Sequence, residues 1–158
     1  ITVATLGIGS PVGAIVAGAA ITTGAVTTYA AATDSAMVVD LSYSYQTPTS
    51  AYLKGGVSLV IDFEKDESNL YLHGGGGYGY SSGFSYSAGI ISNYEDPQDY
   101  AGHFTDISAS YNMGMDHCWT PQDGIVNSTQ ATSILFSSGI SFGVEYSYYS
   151  KPFLISSW

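Results

Sequence analysis

Alternation of apolar and polar residues with a period of two is the feature that most constrains this chain. It runs through residues 37–45, 56–63, 70–73, 77–92, 105–115 and 133–149. Successive side chains of a β-strand point to opposite faces, so each segment predicts a strand. We therefore predict a mainly β fold for residues 34–158, an antiparallel sandwich or small barrel of six to eight strands.

The orientation of these strands is predicted from the hydrophobic effect. Two similar segments, Ser81–Tyr86 and Ser137–Phe142, interleave serine and glycine with aromatic or aliphatic residues. We expect the apolar face of both to turn inward and the Ser/Gly face to turn outward. Many glycines also suit a strongly curved sheet. The charged run Glu64–Asn69 is expected to be a solvated hairpin tip.

Residues 1–33 form a separate Gly/Ala/Thr-rich segment without a charged residue. The stretch from Pro11 to Ala32 is long enough to span a bilayer, although its threonine and glycine content weakens that interpretation. A helix packed on the module, a membrane-inserting segment and an extended segment are the three alternatives. In water, we expect this segment to bury its surface against the module or a neighbouring copy.

Composition limits the partners of the protein. The 158 residues include three lysines, no arginine and 13 acidic residues, for a formal charge of −10. Nucleic acid is excluded as a partner because phosphate binding needs clustered cations. An anionic membrane would repel the chain unless burial of apolar surface outweighs the repulsion. A charged fraction of 10% with a hydrophobic fraction of 45% also excludes intrinsic disorder.

We predict that the protein is secreted and works outside the cytosol that made it. The low charge, the tyrosine-rich strands and a first residue other than Met favour this localisation, the last as the mark of a mature product or an excised domain. No Lys or Arg precedes the apolar start, which argues against a retained signal peptide.

Chemically reactive residues are few. Cys118 is the single cysteine, which excludes an intrachain disulfide and a multi-thiolate metal site. If the protein is an enzyme, the candidate catalytic set is His73, His103 and Cys118, with Asp116 orienting a histidine. A buried, structural Cys118 is the simpler interpretation, because no neighbouring Lys or Arg would stabilise a thiolate.

No cofactor or metal site is predicted. The run Gly74–Gly77 lacks the Lys-Ser/Thr pair and the helix of a phosphate-binding loop, so a bend in a strand is favoured. His73, His103 and His117 could hold zinc only if the fold brought them together. The acidic residues between Glu95 and Asp106 lack the regular offsets of a calcium loop. Asn127 begins a glycosylation sequon in a polar loop, and its modification stays open.

Tyrosine is the least ordinary part of the composition, with 14 residues. Rows of tyrosine can stack on carbohydrate, form the interfacial girdle of a membrane barrel, or stack between the subunits of a fibre. Amphipathic residues on the surface of a sandwich are the simplest interpretation. Eight complete spanning strands are hard to find in the sequence, so a lone membrane-spanning barrel is not favoured.

Residues 56–121 resemble the C-terminal modules of Rhs-type and other polymorphic toxins. The similarity is carried by Tyr71-x-His73-x-Gly75, by Gly83–Gly89, by Asn93–Phe104, and by Gly114 with Cys118 and Pro121. The Gly/Ala-rich residues 7–33 are similar to the linker that precedes such modules. The resemblance implies delivery to a target cell after release from a larger carrier protein, and a matching immunity protein in the producer. It assigns no catalytic residue.

The leading prediction is thus a secreted effector or toxin-like β module whose mechanism is unassigned. One alternative is a structural subunit of an extracellular fibre or sheath that self-assembles through its apolar N-terminus and strand edges. The other is a carbohydrate-binding module. Self-association and contact with a membrane or carbohydrate are all compatible with the sequence, and whether the protein is an enzyme stays open.

Overall fold

The structure, a computed structural model, describes residues 11–120 and 129–158. These residues form one α-helix, a short 3-10 helix and seven strands, which confirms the predicted mainly β fold. The elements are α1 (Pro11–Ala32), β1 (Ala36–Gln46), β2 (Ala51–Asp62), β3 (Glu67–Tyr80), β4 (Gly83–Ser92), the 3-10 helix (Pro97–Tyr100), β5 (Gly102–Trp119), β6 (Gln130–Tyr149) and β7 (Phe153–Ser157). The sequon residue Asn127 lies outside the described residues.

The strands form one antiparallel sheet that closes into a barrel. Its order is β5-β6-β4-β1-β2-β3-β7, and an additional pairing between β3 and β6 closes it. Strand β7 pairs with residues 67–70 of β3, next to the stretch of β3 that pairs with β6. β7 is therefore an extra strand that lies beside β3 just beyond the end of β6.

Strands β5 and β6 each reverse direction halfway along. Residues 73–80 of β3 pair with 149–142 of β6, and residues 85–92 of β4 pair with 137–130. Because β3 and β4 run antiparallel to each other through their pairings with β2 and β1, β6 must turn back near residues 138–141. β5 pairs with β6 along its length and turns back at Asn112, where φ is +60°. The barrel wall therefore contains eight antiparallel segments.

Glycine permits the close approach of strands at these crowded positions. A Cβ atom on Gly114 would lie 2.0 Å from the carbonyl oxygen of Ala109, on the other arm of the bent β5. A Cβ atom on Gly75 would lie 2.0 Å from the carbonyl oxygen of Tyr146 on β6. The Gly74–Gly77 run is therefore part of β3 and allows contact with β6.

The two ends of the barrel differ in charge. We call the end formed by residues 33–35, 63–66 and 93–101 the charged end, because its turns contain Asp, Glu and Lys. The other end is formed by residues 47–50 and 81–82, which are Thr, Pro and Ser only, and we call it the uncharged end. The side chain of Gln46 ties these two turns together through bonds to Ala51 O and to the Ser81 amide.

The faces of the strands are opposite to the predicted orientation. The serines and charged residues point into the barrel, where Ser44 is 1% and Ser58 0% exposed. The apolar and aromatic residues that alternate with them point outward, for example Leu53 at 61% and Phe84 at 66% exposure. The expectation that the apolar face of Ser81–Tyr86 turns inward is therefore wrong. This segment and Ser137–Phe142 lie beside each other where β3–β4 and β6 reverse, and Ser85 pairs with Ser137.

A small hydrophobic core lies toward the charged end. It is built from Tyr71, Tyr100, Phe104 and Tyr149, whose rings pack edge-on or tilted with centroids 5.0–5.3 Å apart. The 3-10 helix contributes Tyr100 and begins with a capping box on Asp96 and Asp99. This cluster closes the barrel on one side of its polar interior.

Residues 11–32 are helical, so the extended alternative is wrong for this segment. Helix α1 packs against β4, β6 and β1, with the Thr23 hydroxyl bonded to that of Tyr86. Gly18 lets it approach the Phe136 ring, because a Cβ there would lie 3.0 Å from the ring. Its other side is exposed, with Ile21 at 73% and Val16 at 51%. The helix thus buries only one side against the module.

Candidate functional site

The polar interior of the barrel is the first candidate site. Five side chains of ordinarily charged type point into it from four strands, and a sixth, His73, joins them from β3; the five are Asp40, Lys54, Asp106, Asp116 and Glu145. Their positions follow from the alternation, since each lies an even number of residues from an inward-facing serine of the same strand. Carboxyl groups outnumber cationic groups, so the interior has an excess of acidic side chains.

Asp40 and His73 form the first close polar pair of the interior. His73 Nε2 lies 2.6 Å from Asp40 Oδ1, and the Ser58 hydroxyl donates to the same oxygen at 2.6 Å. The His73 ring stacks on Tyr149 with centroids 4.7 Å apart. His73 is therefore held in one orientation by a carboxylate and an aromatic ring.

Lys54 and Glu145 form the second buried pair. Lys54 Nζ lies 3.5 Å from Glu145 Oε1, and both side chains are less than a tenth exposed. Tyr52 and Ser147 donate their hydroxyls to the two oxygens of Glu145, at 3.4 and 2.8 Å. A buried charge needs such partners, because leaving it unpaired costs several kcal/mol.

Asp106 and Asp116 lie on the two arms of β5 and have fewer partners. Asp116 accepts a hydrogen bond from the Ser133 side chain, its neighbour in register on β6. The buried Oδ1 of Asp106 has no hydrogen-bond partner among the described groups. These two carboxyl groups carry the acidic excess of the interior.

The free space among these groups is small. The cavity bordered by Asp40, Lys54, His73, Asp116 and Glu145 has a volume of about 20 Å³. That is close to the minimum that holds one water molecule. The arrangement is a packed polar core, and in this state it offers neither a substrate pocket nor an open channel.

Three of the four candidate catalytic residues border this cavity. They are His73, Cys118 and Asp116, whereas His103 is exposed on the outer surface against Tyr148. The prediction that Asp116 orients a histidine is wrong for His73, since Asp40 binds it. Asp40, Lys54 and Glu145 were missed, because nothing in their local sequence separates an inward charge from a solvated one.

Cys118 has the surroundings of a structural residue. Its thiol is buried, and Sγ lies 3.8 Å from the Tyr100 hydroxyl. Burial raises the pKa of Tyr100 well above its ordinary value, and the neighbouring Cys118 raises it further. The hydroxyl beside the thiol is thus neutral and does not act as a base. The structural role of Cys118 stays a prediction.

The histidines do not converge on a metal. His73 points inward, while His117 lies on the outer wall with hydrogen bonds to Thr132 and Gln130, and His103 is exposed. Within residues 11–120 and 129–158, no group of three or more His, Cys, Asp or Glu side chains is placed to hold a metal ion.

The outer wall is the second candidate site. It comprises the outward positions of β1–β6, and its exposed members include Leu41, Tyr43, Leu53, Val57, Leu72, Tyr78, Phe84, Ile107, Met115, Phe142, Val144 and Tyr146. None of the described outward positions carries Asp, Glu, Lys or Arg. Larger exposed apolar patches mark protein or membrane interaction sites.

Comparisons with protein-family models, with curated proteins and with solved structures found no match to this chain. The class that the fold itself defines is a small antiparallel β-barrel with a polar interior and an apolar outer wall.

Proposed function

We propose that this chain is a secreted, effector-like module that inserts its outer wall into the hydrocarbon layer of a lipid bilayer. The observation that carries the proposal is the inverted polarity of the barrel. Charged side chains of the strands face inward, and uncharged, mostly apolar side chains face outward along the same strands. Barrels in membranes alternate in this way, whereas the core of a soluble barrel is apolar.

The dimensions of the elements agree with this function. A tilted strand needs about 9–11 residues to cross a bilayer, and β1 to β4 have 11, 12, 14 and 10 residues. Helix α1, with 22 residues, is about 33 Å long at 1.5 Å per residue. Its segment Ile15–Ala32 is long and apolar enough to cross a membrane, and only 6% of that segment is buried in the protein.

The energy of exposed apolar surface also supports insertion. On the described part of the outer wall, 19 large hydrophobic side chains are exposed by 36–71%. At roughly 1 kcal/mol for each half-exposed side chain, removing them from water contributes on the order of 20 kcal/mol. An aggregate of copies would recover the same energy, but it would not require a charged interior.

The direction of insertion follows from the two ends. The charged end would need to shed the hydration of several carboxylates to enter hydrocarbon. The uncharged end carries hydroxyl side chains and is surrounded by Tyr45, Tyr78 and Tyr80. The uncharged end therefore enters first, and the charged end stays in water.

Flotation of the protein with uncharged, zwitterionic liposomes tests this function. The wild type is expected to float, and Leu53→Asp, which places a carboxylate on the outer wall, is expected to stay at the bottom of the gradient. Gln98→Asp is the matched control, since it adds the same group at the exposed charged end and should float. Sedimentation of the lipid-free protein identifies the alternative. Ordered polymers without flotation would favour the fibre subunit and overturn the proposal.

A further inference from the structure

Two carboxylates lie opposite each other where β2 turns into β3. Asp62 is the last residue of β2, and its partner in register is Glu67, the first residue of β3. Residues directly opposite in an antiparallel pair have their side chains on the same face of the sheet. That face is the inward one, because Ser58 and Tyr71, each four residues further along its strand, are 0% exposed. Like charges in this position destabilise a strand pair, so a cation between them would be favourable.

Two buried polar groups on this face lack partners. Asp62 is 2% exposed, and its Oδ1 accepts hydrogen bonds from the amides of Glu64 and Lys65, at 3.0 and 3.3 Å. The other oxygen, Oδ2, has no partner among the described groups. Asn69, the next inward position of β3 after Glu67, is 3% exposed, and its Nδ2 has no partner in the same set. Because buried polar groups are nearly always hydrogen-bonded, two such groups on one face indicate a ligand.

The surroundings of the pair are acidic. In the described part of the chain, no Lys or His side chain lies within ion-pair distance of Asp62 or Glu67. The turns of the charged end contain six acidic residues and one lysine, Lys65, which is exposed. The negative potential of this end attracts cations from solution.

Tyr94 shows that both carboxylates act on the same region. Its hydroxyl lies 3.1 Å from that of Tyr71, in the core at the charged end. Burial first, and then the negative charges of Asp62 and Glu67, raise the pKa of Tyr94 to about 12. The effect of both charges on one buried hydroxyl agrees with their common position at this end of the barrel.

We propose that Asp62, Glu67 and Asn69 bind a divalent metal ion of the calcium type. Asp62 Oδ2 and the Glu67 carboxylate supply the two anionic ligands. A half-turn of the Asn69 amide presents its oxygen in place of Nδ2, and water completes the shell. Calcium accepts such an irregular set of oxygens, whereas magnesium demands a nearly ideal octahedron. The charged end is in water whether or not the outer wall is in a bilayer, so this inference is independent of the proposed function.

The number of charged ligands limits the affinity of the site. Two carboxylates and an amide supply less negative charge than the calcium loops of intracellular sensors. We therefore expect a dissociation constant of about 0.1–1 mM, the range of calcium sites in extracellular modules. This range agrees with the predicted localisation of the protein.

Sensitised terbium luminescence measures binding directly, because Tb³⁺ replaces Ca²⁺ on oxygen ligands and accepts energy from nearby aromatic rings. Trp158 lies at the same turn, with its amide 2.8 Å from Asp66 O and its ring centroid 6.4 Å from that of Phe63. The full chain in non-ionic detergent is titrated with Tb³⁺, and Ca²⁺ or Mg²⁺ is then added as competitor. Saturable emission is expected, with displacement by Ca²⁺ at a concentration at least tenfold lower than by Mg²⁺.

Two variants assign the binding to this site. Asp62→Asn and Glu67→Gln should each raise the Ca²⁺ midpoint at least tenfold. Glu64→Gln is the matched control, since it removes an exposed carboxylate of the same turn and should keep the midpoint of the wild type. Ca²⁺ should also raise the melting temperature of the wild type and of the control, but not that of either site variant.

Three results would overturn the inference. They are emission that does not saturate, equal displacement by Ca²⁺ and Mg²⁺, and a Ca²⁺ midpoint that is the same in the wild type and in both folded site variants. The unpartnered groups of Asp62 and Asn69 would then be bridged by water alone.

Discussion

Substitution of Lys54 by Met is the perturbation that most severely tests the packed polar interior. Lys54 Nζ lies 3.5 Å from Glu145 Oε1, and the two side chains are 7% and 5% exposed. Coulomb's law with an effective dielectric constant near 20 gives about 5 kcal/mol for charges at this distance. Removing one partner of a buried pair typically costs roughly 3–5 kcal/mol. Tyr52 and Ser147 still bind Glu145, so we expect a loss of about 3 kcal/mol.

Urea unfolding of Lys54→Met, Glu145→Gln and the double variant measures this loss and its origin. The neutral amide that Glu145→Gln introduces accepts from one of the two hydroxyls through its oxygen, can donate to the other through its NH2 group, and no longer requires a cation. The double variant is therefore expected to be about 2 kcal/mol more stable than Lys54→Met alone, and the two single effects should not add. A loss below about 1 kcal/mol for Lys54→Met, or additive effects, would show that this pair is solvated and that the interior is not closed.

Four further predictions concern separate parts of the molecule. Gly75→Ala should lower the free energy of unfolding in urea by more than about 2 kcal/mol, because the new Cβ would collide with the carbonyl oxygen of Tyr146. Gly74→Ala is the control, since its Cβ would have no neighbour nearer than 3.9 Å, and it should change stability by less than about 1 kcal/mol. Cys118 should react with iodoacetamide only after unfolding, and fast alkylation of the folded protein would refute its structural role. Deletion of residues 1–33 should cause aggregation or loss of assembly, and a monomeric product with an unchanged melting temperature would contradict this. Anionic lipid in the liposomes should weaken flotation at low salt, and added salt should restore it, since the charged end is acidic.

Much of the secondary structure could be predicted because it is encoded locally. The alternation at residues 37–45 and 56–63 lies within β1 and within β2 and its following turn. The charged run Glu64–Asn69 was predicted to be a hairpin tip, but the turn covers only residues 63–66 and β3 begins at Glu67. A period of two defines two faces of a strand, but it does not determine which face turns inward. We assigned the apolar face to the inside because that rule holds for a protein surrounded by water.

The reversal of β5 and β6 could not be predicted, because it depends on pairings between distant segments. Ser85 meets Ser137 and His73 meets Tyr149 only once the barrel has closed. The candidate site was predicted by residue type alone. His73, Cys118 and Asp116 were named, but the partner of His73 is Asp40, 33 positions away in sequence. A single sequence offers no signal for a contact at that separation.

Alternating accessibility along β1 is the most direct test of the inverted barrel in a bilayer. In a Cys118→Ser background, nitroxide labels are attached at Leu41→Cys and Tyr43→Cys, which are outward, and at Ser42→Cys and Ser44→Cys, which are inward. In liposomes, the outward labels should collide frequently with molecular oxygen, which concentrates in hydrocarbon, and rarely with a water-soluble nickel complex. The inward labels should collide rarely with both. Outward labels that collide mainly with the nickel complex, or four labels that behave alike, would contradict the account.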